Sequence, residues 1–204
     1  MLTTPFQTAE QFLSQVDDDW SVLISTVGQC HFEPSLHQEP YEALIRAVAF
    51  QQLHAKAGEA IINRLCAFHE NSFPLPTQLL KKSVDDLRAC GFSARKIATL
   101  QDIANGTISG LVPSMVDAST MSDDALIERL VTLKGIGRWT VEMLLMFNLG
   151  RLDILPADDF AIGQGIKRLK KLSVVPKPKE IRQMGLAWQP YRTIASWYLW
   201  RIPK

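Results

Sequence analysis

Cysteine is scarce: Cys30, Cys66 and Cys90 are the only three among 204 residues, odd in number and widely spaced. That pattern excludes a disulfide framework and a thiolate metal or iron–sulfur cluster, and leaves inert or core thiols in a reducing compartment. No stretch approaches the roughly 18 uninterrupted apolar residues of a membrane-spanning helix, so no membrane partner is expected. The opening Met1-Leu2-Thr3-Thr4-Pro5 lacks the basic segment and apolar block of a secretory leader. An intracellular location follows as the expectation: a bacterial cytoplasm or nucleoid, or a nucleus. Excess charge of one sign is missing too, the formal net charge being +1 with a pI near 7.7. An overall basic footprint for nucleic acid is therefore absent, although a near-neutral total can conceal a basic face. His31, His37 and His69 have no spacing suited to a metal.

Strand-like alternation is also scarce, and apolar residues recur instead at helical spacing. Ser83 precedes a helical segment that Gly91 closes; Ser93 opens another, with Gly106 after its end; Ser122 stands before Asp123 and Asp124. Pro40 introduces a helix through Tyr41, Leu44, Ile45 and Val48, and a further one runs from about Ala55 to Phe68. Near the C-terminus, Lys179 to Met184 and Pro190 to Trp200 read as helices. These signals predict an all-α chain of roughly ten helices, with connecting loops at Phe73-Pro74-Leu75-Pro76 and from Gly110 to Thr120. Residues 1–204 are expected to fold as a single domain and to act as a monomer. The N- and C-terminal helices would form one lobe and the middle helices another.

The most informative string is Leu133-Lys134-Gly135-Ile136-Gly137-Arg138-Trp139-Thr140. A helix from about Asp123 to Thr132 ends there and a second begins near Gly137. Two glycines around one apolar residue permit a tight hairpin with unusual backbone angles. Their amides lie at a helix start, where unpaired N–H groups and the helix dipole attract an anion such as phosphate. Ile136 would plug the gap between the helices, and Arg138 adds positive charge. An ordinary glycine turn between packed helices explains the same string equally well when it is taken alone.

The hairpin, followed by Asp153-Ile154-Leu155-Pro156-Ala157-Asp158-Asp159-Phe160, resembles the helix-hairpin-helix superfamily of DNA glycosylases, and in detail its DNA-3-methyladenine glycosylase II branch. Gln51-Gln52-Leu53 within Pro40 to Ala57, Gly91-Phe92-Ser93 within Leu87 to Lys96, and Trp188-Gln189-Pro190-Tyr191-Arg192 to Trp200 extend the likeness over about Pro40 to Trp200. It implies two helical subdomains around a cleft, with a helix-hairpin-helix motif at about 123–148 and a catalytic-aspartate loop after it. Lys134, Gly135, Ile136, Gly137 and Arg138 would grip DNA phosphates, often with a monovalent metal ion held by hairpin backbone carbonyls. No cofactor is implied. The expected partner is double-stranded DNA containing alkylated bases. Some members carry an extra N-terminal α/β domain, for which this chain is too short. Met143 and Phe160 stand where some members have tyrosine.

Breaking the bond between base and sugar leaves positive charge on the deoxyribose, which a carboxylate beneath it stabilises. Asp159 matches the family's catalytic aspartate and Asp158 reads as a carboxylate capping the helix that follows; taken apart from the resemblance, the pattern favours capping for both. Trp139, Met143, Phe160 and Trp200 match positions of the base pocket. The other tryptophans, Trp20, Trp188 and Trp197, read as packing residues. Gln52, Leu53 and His54 fall at a break between two helices that matches the family's wedge loop. Gln52 or Leu53 would fill the hole left by a flipped base. His54 would either donate to a minor-groove acceptor or simply start a helix. Lys167 to Lys171 reads as a solvated helix face.

In the lyase-competent branch of the superfamily, the position of Trp139 holds a lysine that forms a Schiff base. Tryptophan cannot, so the expected enzyme is monofunctional and uses water. The alternatives are a non-catalytic helix-hairpin-helix DNA-binding protein and a bifunctional glycosylase/lyase for oxidised bases. Asp159 disfavours the first and Trp139 the second.

Overall fold

The computed structural model describes residues 5–203, so Met1 to Thr4 of the stretch read for a leader lie outside it. Thirteen α-helices and one 3-10 turn occupy the described residues, with no strand among them. They are α1 (Pro5–Ser14), α2 (Asp18–Val27), α3 (Pro40–Phe50), α4 (Ala55–Ala67), α5 (Pro76–Leu80), α6 (Val84–Cys90), α7 (Ala94–Ile108), α8 (Met115–Thr120), α9 (Asp123–Leu130), α10 (Arg138–Phe147), α11 (Phe160–Leu169), α12 (Pro178–Met184), the 3-10 turn Gly185–Trp188, and α13 (Arg192–Leu199). None is long and apolar enough to cross a membrane.

The serine signals fall where expected. Ser83, Ser93 and Ser122 cap α6, α7 and α9 by accepting from the amides of Asp86, Lys96 and Ala125, and Gly91 closes α6 with a left-handed φ of 108°. Two expectations fail. Gly106 does not end α7 but is buried inside it, because a Cβ there would press to 3.0 Å from Leu133; the helix runs on to Ile108. The supposed loop from Gly110 to Thr120 contains α8, capped by the Ser114 hydroxyl on the Asp117 amide.

The chain divides into two compact units, one continuous (Ser35–Leu144) and one split (Met1–Pro34 with Leu145–Lys204). The N- and C-terminal helices thus share a unit, as their lobe was expected to. The continuous unit is built on α7, whose Leu100, Ile103 and Ala104 are fully buried, with α3 and α5 packed against it and α4 on α3. The split unit buries Leu13 of α1, Trp20 of α2, Ile162 and Ile166 of α11, and Ile194 and Tyr198 of α13. Here α11 and α13 approach so closely that a Cβ on Gly165 would lie 2.6 Å from the Leu199 carbonyl oxygen. Trp188 is buried edge-on against Trp20, with ring centroids 5.2 Å apart, so both are packing residues, and Trp197 is buried as well. All three cysteines are free thiols, and burial raises the pKa of each, that of Cys30 to about 11.

Candidate functional site

In the continuous unit, α9 ends at Leu130 and α10 begins at Arg138. Ile136 is buried between them, as its apolar character requires, while Lys134, Gly135, Gly137 and Arg138 are exposed. The two glycines differ. Gly135 takes a φ of +79°, where a side chain is strained, and a Cβ there would meet the Thr99 hydroxyl at 2.5 Å. Gly137 has no positive φ, and a Cβ on it would meet nothing within 4 Å. The expectation of unusual angles at both glycines is therefore corrected to Gly135 alone.

Helical hydrogen bonding in α10 begins with the Thr140 amide on the Gly137 carbonyl, which puts the Gly137 and Arg138 amides at the helix start, while the Ile136 amide is taken by the Leu133 carbonyl. The Lys134 amide is not one of these. It donates to Asp102 Oδ2 at 2.6 Å, so a carboxylate from α7 already occupies it. Arg138 Nε donates to Glu142 Oε1 at 2.9 Å; the Glu142 side chain is buried while that of Arg138 is half exposed. The pairing fixes the arginine stem and leaves its charged end at the surface.

Beside the hairpin lies a cavity of about 590 Å³, entirely within this unit, whose lining includes Phe50, Gln52, Lys96, Thr99, Trp139 and Met143. Trp139 is 45% exposed. Two of the expected pocket residues, Trp139 and Met143, thus share one cavity. Gln52 and Leu53 are exposed at the break between α3 and α4. Gln52 sits at φ 59°, a left-handed conformation that costs a non-glycine residue about 1–3 kcal/mol. His54 caps α4, its Nδ1 accepting from the Ala57 amide at 3.3 Å, so the proton of the neutral ring is on Nε2. Its structural role is visible, and the Nε2 proton remains a donor.

In the split unit, the loop before α11 is pinned by the start of α13. Arg192 grips Asp153 with two hydrogen bonds, Nε to Oδ1 at 2.7 Å and Nη2 to Oδ2 at 2.9 Å. The Thr193 amide donates to the Leu152 carbonyl and its hydroxyl accepts from the Ile154 amide. This pinned loop delivers Asp159 to the N-cap of α11, where Oδ1 accepts from the Ile162 amide at 2.9 Å and from Trp200 Nε1 at 3.2 Å. The cap is therefore Asp159, and the capping role read for Asp158 is corrected. Asp158 points elsewhere and bridges Arg182 at 2.7 Å, with both side chains about half exposed. Trp200 stacks on Phe147, the ring planes inclined by 24°. Phe160 is 78% exposed. A carboxylate at a helix N-terminus, accepting from a backbone amide and an indole N–H, is fixed in direction, which is what stabilising a nearby positive charge demands.

A family model, HhH-GPD superfamily base excision DNA repair protein, matches residues 45–190. The chain belongs to that superfamily. Over its whole length this HhH-GPD chain is similar to DNA-3-methyladenine glycosylase 1 of Schizosaccharomyces pombe, 46% identical over 205 residues and covering 90% of that protein. Among solved structures it is similar to the S. pombe 3-methyladenine DNA glycosylase Mag1 in complex with abasic DNA, with a TM-score of 0.85, 46% identity and 95% of each chain covered. It is also similar to a DNA-3-methyladenine glycosidase from Bacillus halodurans, with a TM-score of 0.84, 30% identity, and 97% and 88% of the two chains covered.

Some residues of the candidate site were not foreseen in the sequence. Lys96 and Thr99 line the cavity and Asp102 holds the Lys134 amide, all from α7. Their spacing of three residues puts them along one side of a helix, a pattern visible in the sequence but indistinguishable there from an ordinary polar stripe.

Proposed function

We propose that this HhH-GPD protein is a monofunctional DNA-3-methyladenine glycosylase, with residues 1–204 acting as one glycosylase domain inside the cell. It excises N-alkylated purines such as 3-methyladenine and 7-methylguanine from double-stranded DNA. The observation that carries the reading is the Asp159 carboxylate, held at the start of α11 by the Ile162 amide and the Trp200 indole. As the glycosidic bond lengthens, the sugar becomes cationic and Asp159 stabilises it, positioning a water for attack. Trp139 and Trp200 offer π surfaces to the flipped base, each stack contributing roughly 1–3 kcal/mol, and Met143 and Phe160 add apolar contact. Gln52 or Leu53 fills the vacated space in the duplex, with His54 Nε2–H available to a minor-groove acceptor. Lys134 to Arg138 hold the backbone phosphates. An ion at the hairpin would rest on backbone carbonyls, since the described residues offer no cluster of acidic, histidine or cysteine ligands.

Free bases released from methylated DNA, separated by chromatography, test this directly. Methylated purines should appear with the strand left intact and abasic, and borohydride should trap no covalent adduct, because Trp139 cannot form a Schiff base. A trapped adduct that disappears in a lysine variant would overturn the monofunctional reading, and absence of any released base would overturn the enzyme.

The Trp200 hydrogen bond yields a separate expectation. Trp200→Phe keeps an aromatic face but loses the N–H to Asp159, a bond to a charged group worth about 1.5–3 kcal/mol. Base release in single turnover should slow by about 10-fold or more while affinity for damaged DNA changes little. Trp200→Ala should lose both. Wild-type rates in Trp200→Phe would show that the indole N–H contributes nothing to the carboxylate.

A further inference from the structure

We infer that Lys96 and Gln51 form a latch that ties the wedge loop to the phosphate-gripping hairpin, making Lys96 a positioning residue for base extrusion. The inference rests on the glycosylase reading above and adds to it a device distinct from the Asp159 carboxylate, built by residues at the wall of the cavity.

The latch is a closed circuit within the continuous unit. Lys96 Nζ donates to the carbonyls of Ala49 at 3.0 Å and Gln51 at 2.9 Å, at and just beyond the end of α3. The Gln51 side chain then reaches across 84 residues of sequence, its Nε2 donating to the Gly135 carbonyl at 3.3 Å. From the hairpin the circuit returns to α7. The backbone at Gly135 lies so close to Thr99 that a Cβ would meet its hydroxyl at 2.5 Å, and the Lys134 amide donates to Asp102. Lys96, Thr99 and Asp102 all belong to α7, so one helix holds the wedge loop at one end and the hairpin at the other.

A lysine that only capped α3 would satisfy the orphan carbonyl of Ala49 and stop there. Lys96 goes further and takes the Gln51 carbonyl, one residue before the strained Gln52. Its ammonium is partly buried in doing so, and that burial lowers its pKa from the usual lysine value. The strain at Gln52 persists only if the residues on either side over-determine its backbone. Gln51 supplies that constraint through both its carbonyl and its side chain. A wedge held in this way is set ready to enter the duplex when the hairpin seats on the backbone, so seating and extrusion occur as one event. The ordering of the loop is completed before DNA arrives and not during extrusion.

Two variants open the circuit at different points. Gln51→Glu replaces the amide donor facing the Gly135 carbonyl with an acceptor at nearly constant volume, and Lys96→Met keeps the stem but removes the ammonium. Single-turnover excision of 7-methylguanine is measured in two duplexes, one with the lesion paired to cytosine and one with it opposite a tetrahydrofuran abasic site, where extrusion costs less. With the latch, each variant should slow excision from the paired duplex by about 10-fold and from the unpaired one by less than about 2-fold. Lys96→Arg, which can still donate to both carbonyls, should recover most of the paired-duplex rate. Equal loss on both substrates would make these residues merely structural or chemical, and no loss on either would leave the wedge independent of the hairpin; both results overturn the latch. Wild-type protein that excises from neither duplex would instead refute the glycosylase reading.

Discussion

Asp159→Asn should fold as stably as the wild type, bind DNA normally, and release base at least about 100-fold more slowly. The two halves of that expectation come from different parts of one side chain. As the N-cap of α11, Asp159 accepts from the Ile162 amide, and asparagine caps helices about as well as aspartate. The amide oxygen can also keep the bond from Trp200 Nε1. What asparagine lacks is the negative charge, and the loss of a preorganised electrostatic partner of a developing charge costs about 100- to 1000-fold. Asp159→Ala, by contrast, should lose about 1 kcal/mol of stability along with the activity, because the cap goes too.

Asp158→Asn is the internal control. Its bridge to Arg182 is exposed on both sides, a kind of pair worth about 0–1 kcal/mol, so neither stability nor base release should move far. Equal losses of activity in the Asp158 and Asp159 variants, or full activity in Asp159→Asn, would overturn the assignment of the carboxylate. Thermal melting, a DNA-binding titration and single-turnover release on the three proteins separate these outcomes.

How far the site was legible differs from residue to residue, and the differences have physical causes. Serine caps are local, depending on a hydroxyl and an amide three residues on, so Ser83, Ser93 and Ser122 could be placed from their immediate neighbours. Ser114 carries the same signal, with Asp117 three residues later, yet the glycine and proline around it suggested a loop and α8 was missed. Gly106 misled because glycine reads as a helix end; its small size is instead required by Leu133, twenty-seven residues away in sequence. That the cap is Asp159 and not Asp158 turned on which of two adjacent carboxylates faces the first turn of α11. That choice is set by the loop from Leu152 to Ile154, which Arg192 and Thr193 hold in place. Gln52 carries no turn signature at all. Its positive φ lies next to Gln51, whose carbonyl and side chain meet Lys96 and Gly135, contacts distant in sequence that no local pattern reveals.

The difference between the two hairpin glycines makes Gly137 the sharper probe of DNA binding. Gly135→Val would be ambiguous, since the side chain meets Thr99 and must occupy a φ of +79°, costs that unsettle the protein itself. At Gly137 a side chain finds open space on an exposed backbone of ordinary φ, and valine is no worse than glycine for helix formation. The folded protein therefore has no reason to resist Gly137→Val, and its melting temperature should stay within about 2 °C of wild type. If the amides at the start of α10 receive a phosphate, the isopropyl group stands where that phosphate must come. The loss of one charge-assisted hydrogen bond, about 1.5–3 kcal/mol, then lowers affinity by about 10- to 100-fold. Because phosphate contacts carry no sequence or lesion information, damaged and undamaged duplexes should weaken together, and the salt dependence of binding should become shallower. The measurement is a fluorescence-anisotropy titration of both duplexes at several salt concentrations, with melting curves on the same preparations. A variant that melts like the wild type and binds both duplexes like the wild type would reduce the hairpin to a packing device and move the phosphate grip to another surface.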